Sequence, residues 1–285
     1  MGYGDWIICT STVKRAYEKI KKPLVVGDGT FVEWNEVFEG NPKISKYAYK
    51  GCYWVRDYAG HRPYIDYLKS TNIKTVYRQD YKVSPGEIYL DFEEKAKYRE
   101  YRGCIYIEPN VKGSYSGNKD WGFERWQKVV DRLPDLPWVQ SSAGEGLRGV
   151  RRVETSSFRD ACRLLSNADL FVGTDGGLHH AAAALEKRAV VVWGGLVSPK
   201  ILGYDSHINL HSGTHSCGSE GPCLHCKKAL DWVTVDMVVS AIESLCDRDS
   251  GVSRESRSRG VDEGTLGNGM RQPVSGGLGE CSQGA

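Results

Sequence analysis

No apolar run in this 285-residue chain approaches the roughly 20 residues that a membrane-spanning helix requires. The N-terminus also lacks the charged-then-apolar layout of a signal peptide. The chain is therefore expected in the cytoplasm, where its nine cysteines stay reduced. Their odd number and scatter, at 9, 52, 104, 162, 246 and 281 with a cluster at 217, 223 and 226, exclude a disulfide framework. Charge of one sign is missing too. The 38 Lys and Arg against 36 Asp and Glu leave a net +2, which argues against gripping a polyanion by bulk charge. Internal repeats are absent.

What is present is ordinary soluble-protein material, 40% apolar and 26% charged, with one excess. Of 16 tyrosines, twelve fall between Tyr47 and Tyr106. A ring that packs and a hydroxyl that bonds suit core filling or an interface, and that reading is preferred here to a sugar-stacking platform.

The pattern of elements is clearest in the second half. CIYIEPN, from Cys104, predicts a strand stopped by Pro109. WGFERWQKVVDRL (121–133) places Phe123, Trp126, Val129, Val130 and Leu133 at helical spacing. A strand at 138–140, a helix at 157–165, a strand at 170–173 and an alanine-rich helix follow. AVVVWGG (189–195) has the unbroken apolar character of a parallel strand covered on both faces, and a last amphipathic helix spans 232–245. This alternation predicts a doubly wound parallel sheet. Earlier, PLVVGDG reads as a short buried strand, and a helix is expected to set in near residues 9–11. The charged stretch 87–103 resembles a bridge, so the domains are expected at 1–100 and 101–246. After 247, Gly, Ser and Arg dominate without periodicity, and 247–285 is expected to be disordered.

The stretch FVGTDGGLHHAAAAL (171–185) holds polar groups that a plain strand-to-helix joint does not need. In an open parallel sheet, ligands sit where the carboxyl end of a strand leads into a helix. Asp175 is expected to cap the helix, Gly176 and Gly177 to leave its first amides bare, and the helix dipole to favour a phosphate or diphosphate there. His180, one turn in, is expected to face the same mouth. His179 is expected to be a bystander.

This segment resembles the signature of the heptosyltransferase-type glycosyltransferases (family 9): Gly, any residue, Asp, any residue, Gly, any two residues, His, then alanines. KDWGFERWQKVVDRL resembles the family's Lys-x-Trp segment and helix, and GDWIICTSTVKRAY its N-terminal Gly-Asp loop. The resemblance runs over roughly residues 2–246 and implies the GT-B architecture, two Rossmann-like domains with parallel sheets. Family members carry a full strand before the Gly-Asp loop. Here only MGY precedes it, so the N-terminal domain is expected to be truncated. The resemblance implies an inverting transfer of a sugar from a nucleoside diphosphate to an acceptor hydroxyl, with no metal and no cofactor beyond the sugar nucleotide. Matched residue by residue, it implies Asp5 as general base on an exposed loop and Lys119 on the donor phosphates. It further implies Asp175 near the donor sugar beside Thr174, Gly176 and Gly177 as the diphosphate cradle, His180 as the motif's histidine, and Glu145 on the ribose. The acceptor stays open: a glycan, a lipid-linked glycan or another hydroxyl-bearing molecule.

His211, His215, Cys217, Cys223, His225 and Cys226 offer soft ligands for zinc, but their spacing is not a paired CxxC and no closed tetrahedral set is evident. The resemblance also needs no metal, so reduced thiols packed beside the donor pocket are expected. Two other functions fit parts of the pattern. A catalytically inactive nucleotide- or glycan-binding protein would keep the cradle without its base. A zinc-stabilised nucleic-acid binder would use the Cys/His cluster and the basic run at 148–152, against which stand the small net charge and the lack of a finger spacing.

Overall fold

The structure, a computed structural model, describes residues 1–58, 60–112 and 117–250, with side chains to 247. The expectation of disorder over 247–285 falls almost wholly outside the described residues. Residues Met1–Cys246 form one compact unit.

Its frame is a six-stranded, all-parallel sheet with strands in the order β5-β4-β3-β6-β7-β8. The strands are β3 (Ile105–Glu108), β4 (Trp138–Ser141), β5 (Arg151–Val153), β6 (Leu170–Thr174), β7 (Arg188–Val192) and β8 (Ile208–Leu210). Chain order runs outward from β3 in one direction, then restarts at β6 and runs outward in the other. The order therefore reverses between β3 and β6, which is where such sheets leave a crevice.

Period-two side-chain alternation divides the strands between two cores. Tyr106, Val139, Val153, Phe171, Ala189 and Val191 face one core. Ile105, Ile107, Trp138, Leu170, Val172, Val190 and Val192 face the other. The second core is covered by α3 (Phe123–Arg132), α7 (Leu224–Trp232) and α8 (Val235–Ser250), through residues such as Trp126, Val129, Leu230, Val238 and Ile242. The first is covered by α4 (Phe158–Asn167), α5 (Gly177–Ala184) and α1 (Tyr3–Ile20). Burial on both faces is why β6 and β7 read as unbroken apolar runs.

The expected strands and helices of 104–245 are present, with ends shifted by up to five residues. Besides the four-residue helix at Pro199–Leu202, three elements were not legible. β5 (RRV) and β8 (INL) are edge strands of three residues, too short and too polar to show alternation, and α7 is masked by its cysteines. The stretch 87–103 contains α2 (Phe92–Ala96), capped reciprocally by Asp91 and Glu94. Glu94 then pairs with Arg159 at 2.7 Å and Arg163 at 2.6 Å on α4, anchoring the stretch to the sheet's own helix.

The first hundred residues build less sheet. β1 (Leu24–Val26) pairs in parallel with β2 (Tyr53–Val55), and Leu24 makes one further parallel bridge to Ile44. Many tyrosines do fill core, Tyr58, Tyr64, Tyr98 and Tyr106 being buried. The onset of α1 is a correction: the helix begins at Tyr3, not near residues 9–11. Asp5 sits in its first turn and accepts the Gly2 N–H at 2.9 Å, a local cap that starts the helix early. Trp6, Ile7, Ile8, Cys9 and Val13 then bury themselves in the same core as the six-stranded sheet.

α1 lies against α5, and glycine sets the distance. A Cβ on Gly4 would fall 2.7 Å from His180 Cδ2, and one on Gly177 3.4 Å from Tyr3 Cβ. Replacing Gly4 by Ala should therefore destabilise the fold by about 1–3 kcal/mol, the overpacking range, despite alanine's better helix propensity. The shift of the urea midpoint measures it, and an unchanged or raised midpoint would show that the two helices have slack.

Candidate functional site

The crevice between the carboxyl ends of β3 and β6 gathers most of the expected residues. Thr174 ends β6 and is buried. Asp175 follows, 4% exposed at its side chain, with Oδ2 2.5 Å from Lys119 Nζ and Oδ1 3.5 Å from His179 Nδ1. Lys119 comes from the connection after β3, so the ion pair bridges the two strands that flank the crevice. An Asp buried this deeply without a partner would be costly, and the ammonium offsets that cost while keeping 21% of its side chain in reach of solvent.

The cap differs from expectation. Gly176, not Asp175, is the N-cap of α5, and no side chain caps that helix start. Gly176 N–H is not bare either: it donates to His179 Nδ1 at 3.1 Å. The same Nδ1 lies 2.9 Å from the Gly176 carbonyl, and Nε2 lies 3.2 Å from the Leu202 carbonyl. His179 is thus a fully buried tie between the glycine loop and the following α6 (Pro199–Leu202), not a bystander. Burial holds it below the ordinary histidine range, hence neutral. His180 also departs from expectation. Instead of facing the open mouth it is buried beneath Gly4, with Nδ1 2.7 Å from the Tyr204 hydroxyl. Burial first, then His179, Lys119 and His207, keep it uncharged.

Asp5 is reached across the α1–α5 contact. It is buried, not on an exposed loop, because its carboxylate accepts bonds from three sides. Gly2 N–H and Arg62 Nε donate to Oδ2 at 2.9 and 3.0 Å, and the Tyr64 hydroxyl donates to Oδ1. Burial, then the Asp5 charge, holds the Tyr64 phenol far above its ordinary range, so it remains a donor. Tyr77 stacks on Tyr64 with ring centroids 6.4 Å apart. Burial, then the Asp175 and Glu220 carboxylates, raise its phenol as well, while Arg62 opposes them. Arg62, Tyr64, Tyr77 and Tyr204 were missed as individual residues. The tyrosine excess was a signal for Tyr64 and Tyr77 alone, and it could not distinguish them from core-filling neighbours.

Glu145 sits on the loop after β4 with an exposed side chain. Its backbone is what the structure uses: the N–H donates to Asn110 Oδ1 at 3.1 Å and the carbonyl accepts from Gln140 Nε2 at 2.6 Å. A second acid, also missed, stands closer. Glu108 ends β3 opposite Gly173 and accepts bonds from the Asn110 backbone and side-chain amides at 3.0 and 2.9 Å.

The cysteine cluster closes more tightly than its spacing implied. The ligand atoms of Cys217, Cys223, His225 and Cys226 all lie within 4.8 Å of one another, so a four-ligand set does converge. His211 and His215 stand outside it: His211 accepts the Gly213 N–H, and the His215 ring is 4.8 Å from that of His225.

A parallel α/β sheet whose strand order reverses beside a glycine-lined helix start, a lysine and buried acids defines the class, a doubly wound α/β protein. Within that class, the sequence pattern of Glycosyltransferase family 9 (heptosyltransferase) matches residues 145–231, so the chain resembles that family over a segment holding both the glycine loop and the cysteines. Asp5 and Lys119 lie outside the matched segment. Curated proteins give no sequence match. Among solved structures, the chain is similar to an Escherichia coli heptosyltransferase, WaaC, with ADP-2-deoxy-2-fluoro heptose: 18% identity over 56% of this chain and 49% of that one, TM-score 0.43. E. coli ADP-heptose lps heptosyltransferase II gives 16%, 58%, 55% and 0.45. A family 9 glycosyl transferase from Veillonella parvula gives 15%, 59%, 55% and 0.45. The chain spans about half the length of these relatives. No helix among the described residues is long and apolar enough to cross a membrane.

Burial raises the Glu108 carboxyl from its ordinary 4.5 to about 7, against the hydrogen bonds from Asn110. Between those values the folded state holds a proton that the unfolded chain has released. This group's contribution is therefore full below about pH 4.5 and is lost as pH rises through about 7. The loss is at most roughly 3 kcal/mol. Glu108→Gln should flatten the stability profile across that window, read as urea midpoint against pH. An unchanged slope would remove Glu108 as its source.

Proposed function

We propose that the chain is a nucleotide-sugar-dependent glycosyltransferase, moving a sugar from a nucleoside diphosphate to an acceptor hydroxyl with inversion and without a metal at the reacting centre. The observation that carries this reading is the Lys119–Asp175 pair at the uncapped start of α5, in the crevice where the sheet order reverses. A diphosphate placed there meets the helix-start amides and the positive end of the helix dipole, and competes with Asp175 for the Lys119 ammonium. Freed from that pair, Asp175 faces the donor sugar. Residues 101–246 form the donor side in this reading and residues 1–100 the acceptor side.

The reaction is a single displacement. The acceptor oxygen bonds to the anomeric carbon as the bond from that carbon to the diphosphate oxygen breaks, and the bonding electrons leave with the diphosphate. Lys119 offsets the charge growing there. The acceptor proton passes to Asp5, which must first loosen one of its three donors, and Tyr64 and Arg62 hold the carboxylate in place meanwhile. The ADP-heptose analogue in the E. coli WaaC structure makes ADP-linked sugars the first donors to test. A catalytically inactive nucleotide or glycan binder of the same fold is the second reading, favoured by how fully the Asp5 carboxylate is already bonded.

Two substitutions separate these readings. Lys119→Ala should weaken nucleoside diphosphate binding by about 1–3 kcal/mol in calorimetry, and unchanged binding would reject the phosphate role. Asp5→Asn should abolish transfer, assayed as release of nucleoside diphosphate with ADP-, GDP-, UDP- and CMP-linked sugars, while donor affinity is kept. Full turnover by that variant would take Asp5 out of the mechanism, and a wild-type chain that binds donor but never releases product would favour the binding protein.

A further inference from the structure

The one sequence motif that the donor crevice does not absorb is the cysteine cluster. Cys223 is the residue before α7, and His225 and Cys226 lie in that helix's first turn. Cys217 arrives from the opposite side, held by its N–H to the Gly195 carbonyl at 2.8 Å. Its Sγ is 3.1 Å from that of Cys226 and 3.9 Å from that of Cys223. Two sulfurs each 2.3 Å from a shared tetrahedral centre would be about 3.8 Å apart, so small adjustments suffice.

Two further observations set this cluster apart from packed thiols. Both ring nitrogens of His225 are buried and have no hydrogen-bond partner among the described residues, a cost that plain packing does not repay. Gly195 leaves the room: a Cβ there would fall 2.5 Å from His225 Nδ1 and 3.3 Å from Cys226 Cα.

We propose that Cys217, Cys223, His225 and Cys226 bind one zinc ion in a closed, tetrahedral site of three thiolates and one imidazole. Soft sulfur ligands with a single imidazole suit zinc, and four protein ligands leave no open position for water, so the ion is structural. Each thiol gives up its proton to solvent as its bond to the metal forms.

The loop that the ion would clamp is already a junction. Gly218 accepts the Thr75 N–H at 2.7 Å, and Glu220 donates its N–H to Ile73 at 3.1 Å, pinning the tyrosine-rich half. Gly218 has φ +65°, and a Cβ there would fall 1.7 Å from the Thr75 carbonyl oxygen. On the other side, Asn118 donates to Ser219 and Gly221 at 3.0 and 2.7 Å and accepts the Cys223 N–H at 3.0 Å. Asn118 is the neighbour of Lys119. Zinc would therefore hold in register the segment that carries the lysine of the crevice.

The test is metal analysis of the untagged full chain, purified without chelator, together with cobalt substitution. One zinc per chain is expected, with thiolate-to-cobalt charge transfer and intense tetrahedral visible bands after exchange for Co²⁺. Cys217→Ser and Cys226→Ser should lose most of the metal. Chelation should lower the Tm of the wild-type chain by several degrees, and added zinc should restore it. Cobalt spectroscopy of the wild type stands even if a variant fails to fold. A metal-free protein that takes up neither ion, a Cys217–Cys226 disulfide in intact mass, or stoichiometric iron in place of zinc would each overturn the assignment.

Discussion

The close approach of α1 to the start of α5 is the constraint on which the candidate site depends. Gly4 and Gly177 carry no side chains where the two helices meet, and His180 fills the space beneath Gly4 against Tyr204. That contact brings Asp5, from the first turn of the chain, with its partners Arg62 and Tyr64, up to a helix start formed by residues beyond 100. The apolar face of α1 supplies the energy. Trp6, Ile7, Ile8, Cys9 and Val13 are buried in the core that the six-stranded sheet presents on the same side. The N-terminal half needs little sheet of its own because its first helix shares a core with the larger sheet.

Electrostatics in the crevice follow from burial more than from net charge. Asp175 and Asp5 are both nearly inaccessible, and each is compensated locally, by Lys119 in one case and by Arg62, Tyr64 and the Gly2 amide in the other. The histidines of the motif carry no charge and act as structural ties, one holding the glycine loop and one supporting α1. In the proposed transferase, an incoming diphosphate competes with Asp175 for the Lys119 ammonium and offers it a charge-assisted partner of higher charge.

The proposed zinc site would extend this economy outward. The loop from Cys217 to Cys223 touches segment 73–75 on one side and Asn118 on the other, so one cluster of soft ligands would stiffen two connections that contain little regular structure. Cys217 lies six residues before Cys223, and the chain must turn back between them, which is why spacing alone did not reveal the convergence.

The parallel sheet and the glycine turn after β6 were legible because their signals are local. Unbroken apolar strands such as LFVGT and RAVVV, the 3.6-residue spacing of Trp126, Val129 and Val130, and the Gly-Gly step after Asp175 each express a backbone requirement within a few residues. The three-residue edge strands were not legible, because half-exposed RRV and INL carry too little apolar periodicity. Nor could the sequence say that α1 starts at Tyr3 and buries Asp5, that His179 takes the Gly176 amide, or that Arg62, Tyr64 and Tyr77 gather between two acids. Those outcomes depend on which surfaces meet across long stretches of chain. Local pattern determined the elements and the glycine turn between β6 and α5; only tertiary packing decided which side chains are buried together, because desolvation and hydrogen-bond pairing arise at contacts that the linear order does not contain.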